Sequence, residues 1–175
     1  MKYSRTAMVL HWLTAILVVA TFIMGPGGSE ARVYSAAKDF DRILHELLGL
    51  SVFLLVLLRL AWRLGHRAPE LAGVPPLMKT ASRAVQHLLY GLLLLTPLTA
   101  ISGAWLEGHP LTLGPLGEIG PLLAKNRDLG RSIAEVHTWL GDAVIWLAGL
   151  HAAAALFHHF VLRDGVLLSM LPGRR

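Results

Sequence analysis

Four apolar stretches, each near the length a helix needs to cross a bilayer, decide most of what this chain can fold into. They run from about Ala7 to Gly25, Ile43 to Leu64, Ala81 to Leu106 and Ser132 to Phe160. A hydrocarbon core ~30 Å thick takes ~20 apolar residues as a helix, whose backbone hydrogen bonds close within the segment. The first stretch ends at the breaker run Gly25-Pro26-Gly27-Gly28, and Pro97 marks a kink site inside the third. Composition agrees: only 15% of residues are charged, against about 25% in an average soluble domain. The expectation is an all-α integral membrane four-helix bundle forming a single domain over residues 1–175. The longest connector, GHPLTLGPLGEIGPLLAKNRDLG, is rich in Gly and Pro and reads as an ordered cap or a short surface element.

Lys and Arg set the orientation. Lys2, Arg5, Arg59, Arg63, Arg67, Lys79, Arg83, Arg163, Arg174 and Arg175 fall on one side of the four segments. Arg32, Lys38, Arg42, Lys125, Arg127 and Arg131 fall on the other, with most of the acids. The positive-inside rule then puts both termini in the cytoplasm. A net charge of +5 would suit a nucleic-acid binder, but its distribution follows membrane topology, so no nucleic-acid partner is expected. Trp12, Trp62, Trp105 and Trp139 lie near segment ends, where interfacial aromatics belong. The basic tip and apolar run of residues 1–24 have the form of a signal peptide, but Ser29-Glu30-Ala31 is a poor cleavage site. Retention is expected; cleavage would remove His11.

The absence of cysteine excludes disulfides, thiolate-held iron–sulfur clusters, covalently attached c-type haem and a Cys nucleophile. Histidine, by contrast, is abundant for so apolar a chain. The fourth stretch carries His137, His151 and His158, fourteen and then seven residues apart, so all three share one helix face. At ~1.5 Å per residue His137 and His151 are ~21 Å apart, one toward each side of the membrane. Topology puts His45 at the depth of His137, and both His11 and His87 at the depth of His151. A neutral imidazole ligates iron through one ring nitrogen, so two helices can clamp one haem. Gly49, Gly91 and Gly141 each follow a histidine by four residues and leave room beside it, and Ala148, Ala152 and Ala155 are small near His151. A lone intramembrane histidine often only bonds a neighbouring helix. Four matched in depth favour haem, whereas zinc would need three or four ligands close together. Depth alone leaves His11 and His87 both open as the partner of His151.

Several further residues carry two readings each. His87 is a haem-propionate partner, a quinone contact or a packing residue. His158 is a solvated interfacial histidine or a proton partner for a quinone headgroup. His159 reads as interfacial, His66 and His109 as loop residues. Arg59, fourteen residues after His45, either pairs with a haem propionate or snorkels to the surface. Asp142 is a proton relay or a water-exposed acid.

Tyr3-Ser4-Arg5 followed by His11-Trp12-Leu13, His45 with Gly49 and Arg59-Leu60, Ala84-Val85-Gln86-His87-Leu88, and above all His137-x3-Gly141 with the closing GLHAAAALFHHFVLRDGVLLSMLPGRR carry a family resemblance. Over essentially its whole length the chain resembles the bacterial cytochrome b561 family, closely its short four-helix superoxide:ubiquinone oxidoreductases. The long connector matches least. The resemblance implies a bacterial inner-membrane protein with two b haems, His11 and His151 holding one on the cytoplasmic side and His45 and His137 the other on the periplasmic side. It implies a quinone pocket by the inner haem, with His158, Ser4 and Arg5 and with His87 as a further candidate. The implied reaction takes one electron from each of two periplasmic superoxide anions, which leave as dioxygen, and adds two cytoplasmic protons to give ubiquinol. Arg42, Lys125, Arg127 and Arg131 are candidates for steering superoxide; each also reads as ordinary solvated loop charge. The alternative is a quinone-linked electron-carrier subunit that serves a partner dehydrogenase or periplasmic redox protein. The lack of a fifth helix argues against a hydrogenase-type subunit.

Overall fold

The structure is a computed structural model that describes residues 2–66, 69 and 74–171. Arg67, Arg174 and Arg175, used above for orientation, lie outside the described residues. Among the described residues, four helices are long and apolar enough to cross a membrane. They are α1 (Arg5–Ile23), α3 (Asp39–Gly65), α4 (Pro76–Glu107) and α5 (Arg127–Phe157), with a short helix α2 (Glu30–Val33) between the first two. Large apolar side chains point outward, among them Leu54 and Leu58 on α3 and Trp146 and Leu150 on α5. In water such a surface would drive association; in a bilayer it is the solvated face.

Helix ends follow local chemistry. The Ser4 hydroxyl caps α1 by accepting from the Ala7 N–H at 3.2 Å. At its far end the Gly-Pro run stops the helix, and the last-turn carbonyl of Thr21 is taken by a side chain of another helix, described below. Asp39 and Asp41 stand in the first turn of α3 and Arg63 in its last, each favourable to the helix dipole. α3, α4 and α5 start at Asp39, Pro76 and Arg127, ahead of the apolar stretches, because charged and capping residues extend a helix beyond the membrane at no hydrophobic cost. α4 opens on a proline, whose missing N–H has no role there, and ends at Gly108, in the left-handed conformation at φ 96°. It runs on through Pro97. The Asn126 side chain caps α5. Beyond Phe157 the backbone widens into a π turn, His158–Leu162, closed by Arg163 at φ 53°.

The bundle is built as two hairpins. α1 packs along α3, and α4 along α5, whereas α3 touches α4 less and α1 barely meets α5. The α4–α5 approach is closest at Gly103 and Gly130. A Cβ on Gly103 would stand 3.1 Å from the Ala134 nitrogen, and one on Gly130 would stand 2.9 Å from the Glu107 nitrogen. The two termini meet at one end: the Tyr3 N–H donates to the Ser169 carbonyl and the Trp12 indole to that of Met170. At the other end the long connector forms a small hairpin, β1 (Leu111–Thr112) antiparallel to β2 (Glu118–Ile119), with Leu111 opposite Ile119. It docks on α3, where Glu46 accepts the Thr112 N–H at 2.7 Å and Arg42 reaches the Thr112 hydroxyl at 3.1 Å.

Candidate functional site

Two pairs of imidazoles face each other across the seam between the hairpins. His45 on α3 meets His137 on α5, with ring centroids 6.1 Å apart and planes at 86°. His11 on α1 meets His151, also on α5, at 6.4 Å and 72°. Metal–imidazole bonds run ~2 Å and a ring centre lies ~1.2 Å beyond its nitrogen, so two rings facing one metal stand about 6 Å apart. Both pairs meet that spacing. The first pair lies toward the hairpin end of the bundle and the second toward the termini.

The tautomers differ between pairs. His45 Nδ1 is 2.8 Å from the Thr21 carbonyl and His137 Nδ1 is 2.9 Å from that of Thr96. A carbonyl only accepts, so both Nδ1 atoms carry the proton and both Nε2 lone pairs are left for a metal. At His11 the neighbour is a donor: Arg59 Nη2 lies 3.2 Å from Nδ1. Ligation through Nε2 with a proton on Nδ1 requires Arg59 to turn away from the ring. Its guanidinium also lies over the Tyr90 ring, 5.3 Å from the centroid, so Arg59 is held between His11 and Tyr90. Small residues flank the pairs. A methyl group on Gly91 or Gly141 would meet no atom within 4 Å, and one on Gly49 only the Thr21 methyl at 3.8 Å.

The other candidates fall in three places. Ser4 lines a cleft of about 200 Å³ at the terminal end, with Lys2, Arg59, Trp62, Tyr90 and Met170. The Trp62 indole nitrogen is buried there without an acceptor among the described residues. His158 does not line this cleft. It sits in the π turn, and its Nδ1 donates to Asp164 at 2.5 Å. Burial raises the Asp164 carboxyl, but the His158 bond and the Val166 N–H outweigh it and hold the group below its ordinary range. Arg5, His87 and Asp142 are exposed.

At the hairpin end Arg42 is committed to Asp39, Glu46 and Thr112, and its side chain is only 13% exposed. Arg127 and Arg131 are exposed and approach Glu30 at 3.6 and 4.0 Å. Lys125 is exposed and runs beside Gly108. His109, expected in a loop, has its ring stacked on Tyr34 and its Nε2 3.0 Å from Glu30. That hydrogen bond, aided by Arg127 and Arg131, keeps the Glu30 carboxyl below its usual range.

The sequence did not single out Thr21, Thr96, Asp164, Glu30 or Glu107. Only Thr21 had a signal, a helix stop at Gly-Pro that leaves a carbonyl without a donor.

A membrane bundle with facing imidazole pairs at two depths belongs to the class of integral b-type cytochromes. The prokaryotic cytochrome b561 family profile matches residues 2–173, and the chain belongs to that family of haem b membrane electron-transfer proteins. It is 33% identical to a cytochrome b562 of Cereibacter sphaeroides, over 98% of this chain and 96% of that one. It is 28% identical to cytochrome b561 homolog 1 of Escherichia coli, over 99% of each. It is also 28% identical to a probable superoxide oxidase of Yersinia pestis, over 99% of this chain and 98% of that one.

Proposed function

We propose that this chain is a single-domain, di-haem b oxidoreductase of the bacterial inner membrane that passes electrons from periplasmic superoxide to ubiquinone. The observation that carries the reading is the double imidazole pair on α5: His45 with His137, and His11 with His151, each at metal-bridging spacing. Two b haems held there would supply one-electron centres near both membrane faces, the chemistry that a one-electron donor and a two-electron quinone require. Backbone carbonyls of Thr21 and Thr96 orient the outer pair and fix its tautomers. At the inner pair, Arg59 is the cation within reach of a haem's carboxylates once it leaves the His11 ring.

The excess of Lys and Arg at the terminal end supports a cytoplasmic location for both termini. His158 then holds a proton against Asp164 on the cytoplasmic side, where a reduced quinone must be protonated. Ser4 and Arg5 border the same end, and His87 remains a candidate contact. On the periplasmic side Lys125, Arg127 and Arg131 are the exposed cations able to attract an anion, whereas the charge of Arg42 is matched by Asp39 and Glu46.

The electron-carrier alternative draws support from the relatives named simply as b-type cytochromes. Rapid mixing separates the two. Superoxide should reduce the purified haem protein near the diffusion limit, and added ubiquinone should reoxidise it. Haem reduction no faster than at a generic exposed haem would favour the carrier.

A further inference from the structure

Three side chains with metal-binding chemistry converge at the periplasmic end, away from the four seam histidines. Glu30 opens α2, Glu107 ends α4, and His109 follows two residues later. One carboxylate oxygen of each glutamate and an imidazole nitrogen of His109 all lie within 4.8 Å of one another. A helix cap brings them together. Gly108, at φ 96°, reverses the chain after Glu107, and the His109 N–H returns to the Ala104 carbonyl at 2.8 Å. The imidazole is then fixed by stacking on Tyr34, centroids 3.5 Å apart and planes at 12°.

Glu107 points to a ligand. The residue is 5% exposed, and among the described residues its carboxylate has no hydrogen-bond donor and no ion-pair partner. Its stem is wedged against α5, where a Cβ on Gly130 would stand 2.8 Å from its Cγ. Arg127 and Arg131 reach Glu30, not Glu107, and both are more than half exposed. A buried carboxylate without a partner is costly, and it is relieved by a proton or by a cation. Here it faces a second carboxylate and an imidazole.

We propose that Glu30, Glu107 and His109 form a site for a divalent transition-metal ion of the Zn²⁺ or Mn²⁺ type. Two carboxylates and one imidazole are the donors such ions accept, with a position left for water. Mg²⁺ and Ca²⁺ favour all-oxygen sets, and Ca²⁺ takes more ligands. The ion replaces the 3.0 Å contact between His109 and Glu30. It ties the segment after α1 to the end of α4 and draws Glu30 away from Arg127 and Arg131, so metal binding raises the positive field on this face. The site is independent of the haem assignment.

The test uses tag-free, haem-loaded protein in detergent, stripped with chelator and titrated with Zn²⁺ by calorimetry at neutral pH. One ion should bind per chain, and Glu107→Gln and His109→Asn should each weaken binding at least ~10-fold with the haem spectrum unchanged. X-ray absorption of Zn²⁺ on the unaltered protein should give an oxygen–nitrogen shell with scattering from one imidazole, a readout that needs no variant to fold. No binding below millimolar Zn²⁺, unchanged affinity in both variants, or scattering from two or more imidazoles would overturn the proposal.

Discussion

Replacing His151 with alanine should remove one haem and leave the other. The expectation rests on separation: His137 and His151 are ~21 Å apart along α5, beyond the ~7–10 Å within which substitutions usually couple. Losing a supporting contact to a metal ligand already costs ~10–100-fold in affinity, so losing the ligand itself should cost more than ~100-fold, or ~2.7 kcal/mol. Haem per protein, measured as the pyridine haemochrome, should fall from two to one, and the reduced-minus-oxidised band to about half. Double variants then test the pairing. His11→Ala combined with His151→Ala removes both ligands of one site and should still leave one haem. His11→Ala combined with His45→Ala strikes both sites and should leave none. His87→Ala should keep both. Two haems retained in His151→Ala, or one retained in the His11 and His45 double variant, would refute the assignment.

In the haem-free protein Gly141→Ala should leave the fold intact or stabilise it by ~0.5–1 kcal/mol, since its new methyl meets nothing within 4 Å, whereas in the loaded protein that methyl takes room beside His137 and should lower haem retention, read as haem per protein. Gly130→Ala forces a Cβ to 2.9 Å from the Glu107 nitrogen and should cost ~1–3 kcal/mol, seen as a lower melting temperature. Arg42→Ala removes hydrogen bonds to Asp39, Glu46 and Thr112, each worth ~1.5–3 kcal/mol when charged groups take part. Amide exchange should rise between Thr112 and Glu118; unchanged protection would mean the hairpin does not depend on this arginine. Asp164 has a folded pKa below its ordinary 3.8. Its contribution is complete above that value and is lost as the pH falls through the folded value, so Asp164→Asn should flatten the stability loss below about pH 4. A profile as steep as that of the unaltered protein would place the acid sensitivity elsewhere.

Much of the architecture could be read from the chain because a bilayer imposes a length on every crossing segment. The facing of His45 with His137 followed from depth and periodicity. The choice between His11 and His87 did not, since both lie at one depth and only the rotation of α1 and α4 about their axes separates them. The structure turns His11 toward His151 and leaves His87 exposed. Arg59 was ambiguous because its stem is long enough for several destinations. The grouping of Glu30, Glu107 and His109 was hidden for another reason: it joins residues nearly eighty positions apart through a glycine-reversed helix end. No pattern along the chain encodes that meeting.

The loose seam between the two hairpins has a consequence for biogenesis. α1 with α3 and α4 with α5 are each made of neighbouring segments and can insert as complete units during synthesis. Both proposed iron-ligand pairs cross from one unit to the other. The prosthetic groups would therefore act as rivets that join two preformed halves, and haem supply would govern assembly as well as redox competence. A cell short of haem would accumulate inserted but more weakly joined hairpins, more open to membrane proteases. Two fragments divided between Gly65 and Pro76, expressed together, should associate more tightly when haem is present.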